Sequence, residues 1–173
     1  MSGPSTSRTA RPLYTPEERR RRDASPWTVV QGVLAPLQFV VFVASLALVL
    51  RFLATGEGLA AATVSVVVKT LVLYTIMVTG AIWEKAVFGR YLFAPAFYWE
   101  DMVSMAVIAL HTAYLVVLVT GALPPQGQMA IALAAYAVYV VNAAQFLWKL
   151  RMARLGAPAP DGPASTGELA MSK

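Results

Sequence analysis

Residues 59–82 read LAAATVSVVVKTLVLYTIMVTGAI, an apolar run interrupted by one charge, Lys69. A helix of this length crosses a hydrocarbon layer about 30 Å thick, and a helix is the form in which a single segment satisfies its own backbone there. Three further runs, at about 27–53, 100–120 and 129–150, have the same character, so the sequence predicts four spans. Turn-forming segments separate them: Thr55-Gly56-Glu57-Gly58 after the first, and residues 121–128 with Pro124-Pro125 before the fourth. Ser25-Pro26 reads as a helix cap followed by proline at the first helical position, with Trp27 placed for the interface. From there the first span either crosses with a tilt or begins as an interfacial turn before Pro36. The expected fold is all-α, an integral membrane four-helix bundle occupying residues 25–154.

Composition agrees. The 173 residues are 58% hydrophobic and only 13% charged, outside the range of a soluble domain of this length. The lack of cysteine excludes disulfides, thiolate metal sites and cysteine nucleophiles, and a single histidine excludes a multi-histidine centre, so no metal of its own is expected. The net charge of +5 comes from residues at the ends of the apolar runs, which marks them as topology signals and anchors for anionic lipid; nucleic acid is not an expected partner. Residues 1–24, with the run Arg19, Arg20, Arg21, Arg22, read as a disordered or surface-lying basic arm, and 155–173 as a disordered tail. The arm is not expected to be a cleaved signal, because the apolar stretch after it is too long and no small-residue cleavage site follows. Four spans place both termini and segment 83–99 on the side that also carries Lys85, Arg90, Lys149, Arg151 and Arg154. The opposite loops hold only Arg51 and Glu57, so both termini are expected in the cytoplasm.

The residues expected to carry chemistry lie on or near that side. The stretch GAIWEKAVFGRYLFAPAFYWED, residues 80–101, contains three of the nine acidic residues and seven aromatics. Glu84 ends the second span and Glu100-Asp101 begin the third. The latter two suit the positive end of a helix dipole and need be no more than caps, whereas Glu84 sits where the dipole disfavours it, which points to pairing or function. Carboxyls crowded at a low-dielectric boundary retain a proton that isolated ones release, and an acid of that kind is what protonation of an unactivated carbon requires. On the third span Glu100, Ser104, Val107, His111 and Tyr114 form one stripe. His111 and Lys69 both fall near mid-depth, where a lysine costs roughly 2.5–3.5 kcal/mol and is expected to face the bundle interior. Each has a bland reading as a hydrogen-bonded core residue; the functional reading of Lys69 is to orient an anionic or carbonyl group of a ligand. Tyr136, Tyr139, Asn142 and Gln145 on the fourth span, and Gln31, Gln38 and Ser45 on the first, are singly interhelical glue. Gln31, Gln38, Asn142 and Gln145, together with Glu84, Glu100, Asp101 and Ser104, fall in the cytoplasmic half and imply a polar cavity open at that end. The rings Trp83, Phe88, Tyr91, Phe93, Phe97, Tyr98 and Trp99 are dense for an interfacial belt and suit a flat conjugated ligand.

Three blocks carry a resemblance: LYTPEERRRRDASPWTVVQG at 13–32, TGAIWEKAVFGRYLFAPAFYWED at 79–101, and LHTAYL at 110–115. The chain resembles the vinyl hydratase family of bacteriochlorophyll biosynthesis in photosynthetic bacteria from about Leu13 to Arg154. The resemblance implies hydration of the ring A vinyl group of chlorophyllide to a hydroxyethyl group, with no cofactor and a substrate that brings its own magnesium. It also implies a multi-pass protein of the bacterial inner (intracytoplasmic) membrane, with association with other enzymes of the pathway as a further expectation. In this setting Glu84, Glu100 and Asp101 are expected as acid and cation-stabilising groups, in no assigned order, with His111 as either the water-activating base or an axial ligand of the substrate magnesium. Lys69, Trp83, Tyr91, Phe97, Tyr98, Trp99, Ser104 and Asn142 are expected to bind substrate. Two other classes compete: a pigment-binding assembly or delivery factor without catalysis, and a small helical subunit whose polar stripes serve partner packing.

Overall fold

The computed structural model describes residues 13–155, with the side chains of 153–155 left aside. It is all-helical over that range: α1 Pro16–Ala24, α2 Pro26–Thr55, α3 Leu59–Phe88, α4 Tyr98–Thr120 and α5 Pro125–Leu155. Helices α2 to α5 are each long and apolar enough to cross a membrane. Their outward surfaces are hydrocarbon: Val29, Val40, Val64, Leu71, Val78 and Val119 stay exposed, while Lys69, Glu84, Asp101, Ser104 and His111 are buried. A water-soluble bundle reverses that arrangement, so the chain is a multi-pass membrane protein.

The connections are short, so neighbours in sequence run antiparallel. Helices α2 and α3 pair along their length, as do α4 and α5, and the two hairpins meet through α2 with α5 and α3 with α4. The core consists of small and aromatic residues, with Ala62, Ala132 and Ala135 permitting close approach and Phe42 wedged between Tyr136 and Tyr139. Polar side chains tie helix to helix inside the apolar shell. Gln31 donates to Thr79 at 2.7 Å, Ser45 lies 2.7 Å from Ser65 and 2.6 Å from the Tyr136 hydroxyl, and Asn142 donates to Ser104 at 2.9 Å.

Several boundaries differ from the sequence expectation, each for a local reason. α3 runs six residues past the expected end at 82, so Trp83, Glu84 and Phe88 are helical. Gly89 ends it in the left-handed conformation (φ 82°), its N–H donating to the Lys85 carbonyl. Residues 125–128, expected in a turn, open α5 with Pro125 as its first residue. Pro36 lies inside an unbroken α2, so no separate interfacial turn precedes it. Ser25 occupies the cap position before Pro26 but makes no side-chain capping bond.

The arm, expected to be disordered or surface-lying over 1–24, is helical over Pro16–Ala24. Thr15 and Glu18 form a reciprocal capping box that starts α1. Tyr14 is buried against Phe88, with stacked rings 5.8 Å apart, and the Arg22 guanidinium covers its other side at 4.9 Å. Residues 1–12 and 156–173, with most of the expected tail, lie outside the described residues.

Candidate active site

The end of the bundle where α3 gives way to α4 is closed by the loop 89–97. Two consecutive amides of that loop are spent on two carboxyl groups: Phe93 N–H donates to Asp101 Oδ2 at 2.7 Å and Ala94 N–H to Glu84 Oε2 at 3.2 Å. Phe93 takes a left-handed conformation (φ 59°), uncommon for a residue with a side chain, at the point where these two amides meet the carboxyls. Glu84 and Asp101 thereby face each other within hydrogen-bonding reach, both nearly excluded from solvent. Two carboxylates are acceptors only, so a hydrogen bond between them needs a proton on one.

Glu100 is set apart from this pair. It turns to Lys149 of α5, whose ammonium contacts both the Glu100 carboxylate and the Ala96 carbonyl. The charges of Glu100 and Lys149 are still close enough to act on Asp101. Among the described residues, no three acidic or histidine side chains converge in the manner of a metal site. Sequence had marked Lys149 as a topology signal only; its pairing across two helices leaves no local signature.

The seven rings of the loop region divide into two sets. Trp83, Phe88 and Phe97 pack edge to face at 5.7–5.8 Å, closed over by Tyr14 and by Phe146 of α5, and the Trp83 indole N–H donates to Thr28 at 2.9 Å. These rings bind α1, α2, α3 and α5 together. Tyr91, Tyr98 and Trp99 are exposed, with Phe93 and Tyr98 in contact at 5.7 Å. Next to Glu100 a groove of about 700 Å³ runs down α5, lined by Val141, Ala144, Gln145, Trp148, Lys149 and Met152. It is shallow and open to the outside of the bundle, and its lining is apolar apart from Glu100, Gln145 and Lys149. Trp148 and Met152 were not singled out in the sequence, where they read as the end of a span.

Lys69 and His111 lie deeper in the bundle, and Ser104 with its partner Asn142 lies between them and the carboxyl pair. Lys69 Nζ sits 3.8 Å over the Tyr139 ring and near His111, as the sequence suggested for two residues at mid-depth. His111 uses Nδ1 on the Val107 carbonyl at 2.8 Å and lies beside the Tyr136 ring. Ten residues of α4 separate His111 from Asp101, a rise of about 15 Å. The two carbons of one vinyl group cannot span that distance.

Fold and site together define a polytopic helical membrane protein with a buried carboxyl pair at one end of its bundle and an apolar depression beside Glu100 on α5. The family model described as 2-vinyl bacteriochlorophyllide hydratase (BCHF) matches residues 14–152, and the chain belongs to that family. The 2-vinyl bacteriochlorophyllide hydratase of Rhodobacter capsulatus is 70% identical over 149 residues, which is 86% of each chain. The protein of the same name from Cereibacter sphaeroides is 73% identical over 146 residues, 84% of this chain and 90% of that one. No solved structure matches.

Proposed function

We propose that the chain hydrates the ring A vinyl group of a chlorophyllide-type tetrapyrrole, giving the 1-hydroxyethyl derivative, and that Glu84 and Asp101 carry the proton chemistry. The observation that carries this reading is the buried carboxyl pair, each member fixed by a backbone amide. Membership of a family of hydratases supports the reaction type, a carbon–oxygen lyase, and bacteriochlorophyll biosynthesis as its setting.

The reaction balances on the pair alone. The protonated carboxyl gives its proton to the terminal vinyl carbon, and the π electrons form the new C–H bond. A cation is left on the carbon attached to the ring and is delocalised into the macrocycle. Water attacks that carbon, and the second carboxylate takes the proton that water releases. One proton has moved from one carboxyl to the other, and H and OH have been added across the double bond. The carboxylates of the pair, one of them newly deprotonated, favour the cation as it develops.

The groove along α5 is where the flat ring docks in this reading, reached from the bilayer, with Val141, Trp148 and Met152 as its apolar lining. Lys149, held by Glu100 and Ala96, offers a cation to a carboxylate of the pigment. His111 lies too far along α4 to activate water at the same vinyl group, so acid and base are both assigned to the pair. The basic residues at this end favour a cytoplasmic orientation in the bacterial inner (intracytoplasmic) membrane, in contact with anionic lipid and within reach of neighbouring enzymes of the pathway.

Purified protein in detergent, given excess vinyl pigment in H₂¹⁸O, is expected to form many equivalents of a product heavier by one labelled water. Retention of about one equivalent of unchanged pigment would identify a carrier instead.

A further inference from the structure

Gln38, Lys69, His111 and Asn142 come one from each spanning helix, and all four are buried. Each points at least one polar atom into the bundle with no partner among the described residues: both amide atoms of Gln38, Lys69 Nζ, His111 Nε2 and Asn142 Oδ1. Lipid does not reach these atoms, and neither the Tyr139 face under Lys69 nor the Ser104 bond of Asn142 uses up their capacity.

Their depths are ordered. Counted from the α2–α3 turn and the α4–α5 turn, Ser45, Lys69, His111 and Tyr136 lie about 15 Å in, and Gln38, Ser104 and Asn142 about 25 Å in. Ser104 is one helical turn from Asp101 on the same face of α4. The polar atoms therefore form an axial column that ends at the carboxyl pair, about 15 Å long from His111 to Asp101. That length equals about five water-to-water hydrogen-bond spacings. Buried water settles where two to four polar groups surround it, and at each level this column supplies them from different helices.

We propose that this column is a hydrated file that delivers the attacking water to Glu84 and Asp101 from inside the bundle, while the pigment docks from the lipid side. Gln38 and Asn142 are positioning residues in it, holding the last waters before the pair. The use of the water rests on the hydratase reading; the presence of the water does not.

The two are tested separately. Hydroxyl-radical footprinting of the full chain in nanodiscs, with radicals made from water in place by an X-ray pulse, is expected to label Tyr139 and His111 within about fivefold of the exposed Tyr91. Labelling a hundredfold slower than Tyr91 would overturn the file. Gln38→Leu removes both unpartnered amide atoms at similar volume, and Gln38→Met serves if the leucine variant fails to accumulate. The expected result is a kcat lowered tenfold or more, with KM for the pigment within twofold and weaker labelling of Tyr139. Unchanged kcat with raised thermal stability is the outcome of a dry column and refutes the proposal. Wild-type protein that is labelled at Tyr139 yet inert on vinyl pigment leaves the file standing and sinks the hydratase reading.

Discussion

Replacing the three carboxyls one at a time by their amides separates the Glu84–Asp101 pair from Glu100. Asp101→Asn keeps the shape of the side chain and an oxygen that can accept from Phe93 N–H at 2.7 Å, so the loop stays anchored and the stability loss is about 1 kcal/mol. The variant can neither give nor take the proton, and general acid–base groups are worth about 10²–10⁴ in rate, or about 3–5 kcal/mol of barrier. Glu84→Gln is expected to behave alike, with Ala94 N–H still bonded. Glu100→Gln removes one charge of an ion pair whose lysine is a quarter exposed and keeps its bond to Ala96, so the expected loss is about 1–2 kcal/mol of stability and less than tenfold in kcat. Thermal unfolding and pigment turnover, measured on the same detergent preparations, read the two effects independently. A Glu100→Gln enzyme slowed a hundredfold at normal stability, beside an Asp101→Asn enzyme of full activity, would refute the assignment.

The geometry makes four further claims. Phe93→Val puts a β-branched residue at φ 59° and is expected to lower kcat by loosening the amide that holds Asp101, whereas Phe93→Gly, at ease in that conformation, keeps kcat within about threefold; turnover of the two variants checks this. Tyr14→Ala empties a ring site between Phe88 and Phe97, and limited trypsin digestion is expected to cut at Arg19 to Arg22 at least tenfold faster while α2–α5 stay protected. His111→Asn keeps a polar atom at mid-depth and is expected to retain more than a tenth of wild-type kcat; a loss beyond a thousandfold would restore the imidazole as the base. Trp148→Ala is expected to raise KM for the pigment about tenfold or more with little change in kcat, and an unchanged KM would move docking away from the α5 groove.

The apolar runs made the four spans legible because a 30 Å hydrocarbon layer imposes a length that no other context requires. Their ends were less so. Hydropathy falls at Trp83 and Glu84, yet the helix continues until Gly89 supplies a conformation that other residues resist. The inward stripe of α4 was readable because its period is local to one helix, and Ser104, His111 and Tyr114 are all buried. Which carboxyl meets which was not readable, since that depends on the rotation of α3 against α4. Asp101 and Glu100 are adjacent in sequence, and their side chains leave the helix about 100° apart, one toward Glu84 and the other toward Lys149. Phe93 and Ala94 contribute through backbone amides, for which residue type gives no signal. The capping box at Thr15 and Glu18 was present in the sequence as TPEE, but the arginine run after it dominates the composition of the arm.

A hydration on a membrane-bound pigment brings together reactants that prefer opposite phases. The ring is soluble in the bilayer, where water is scarce, and the vinyl group is unreactive toward water without a strong acid. A bundle with a hydrocarbon exterior and a polar axis resolves the conflict by its geometry. In the arrangement proposed above, the apolar reactant approaches along the outside of α5 and the polar one along the inside, toward the end closed by loop 89–97. That meeting point is also where α3 and α4 end, so a carboxyl pair there can be held by loop amides that a helix interior would have consumed in its own hydrogen bonds. Placing the pair at mid-depth beside His111 would forfeit those donors and leave two acids dependent on each other alone. The proposed acid and base therefore belong at the loop, with the buried residues along the axis serving them, in the same proposal, from a distance.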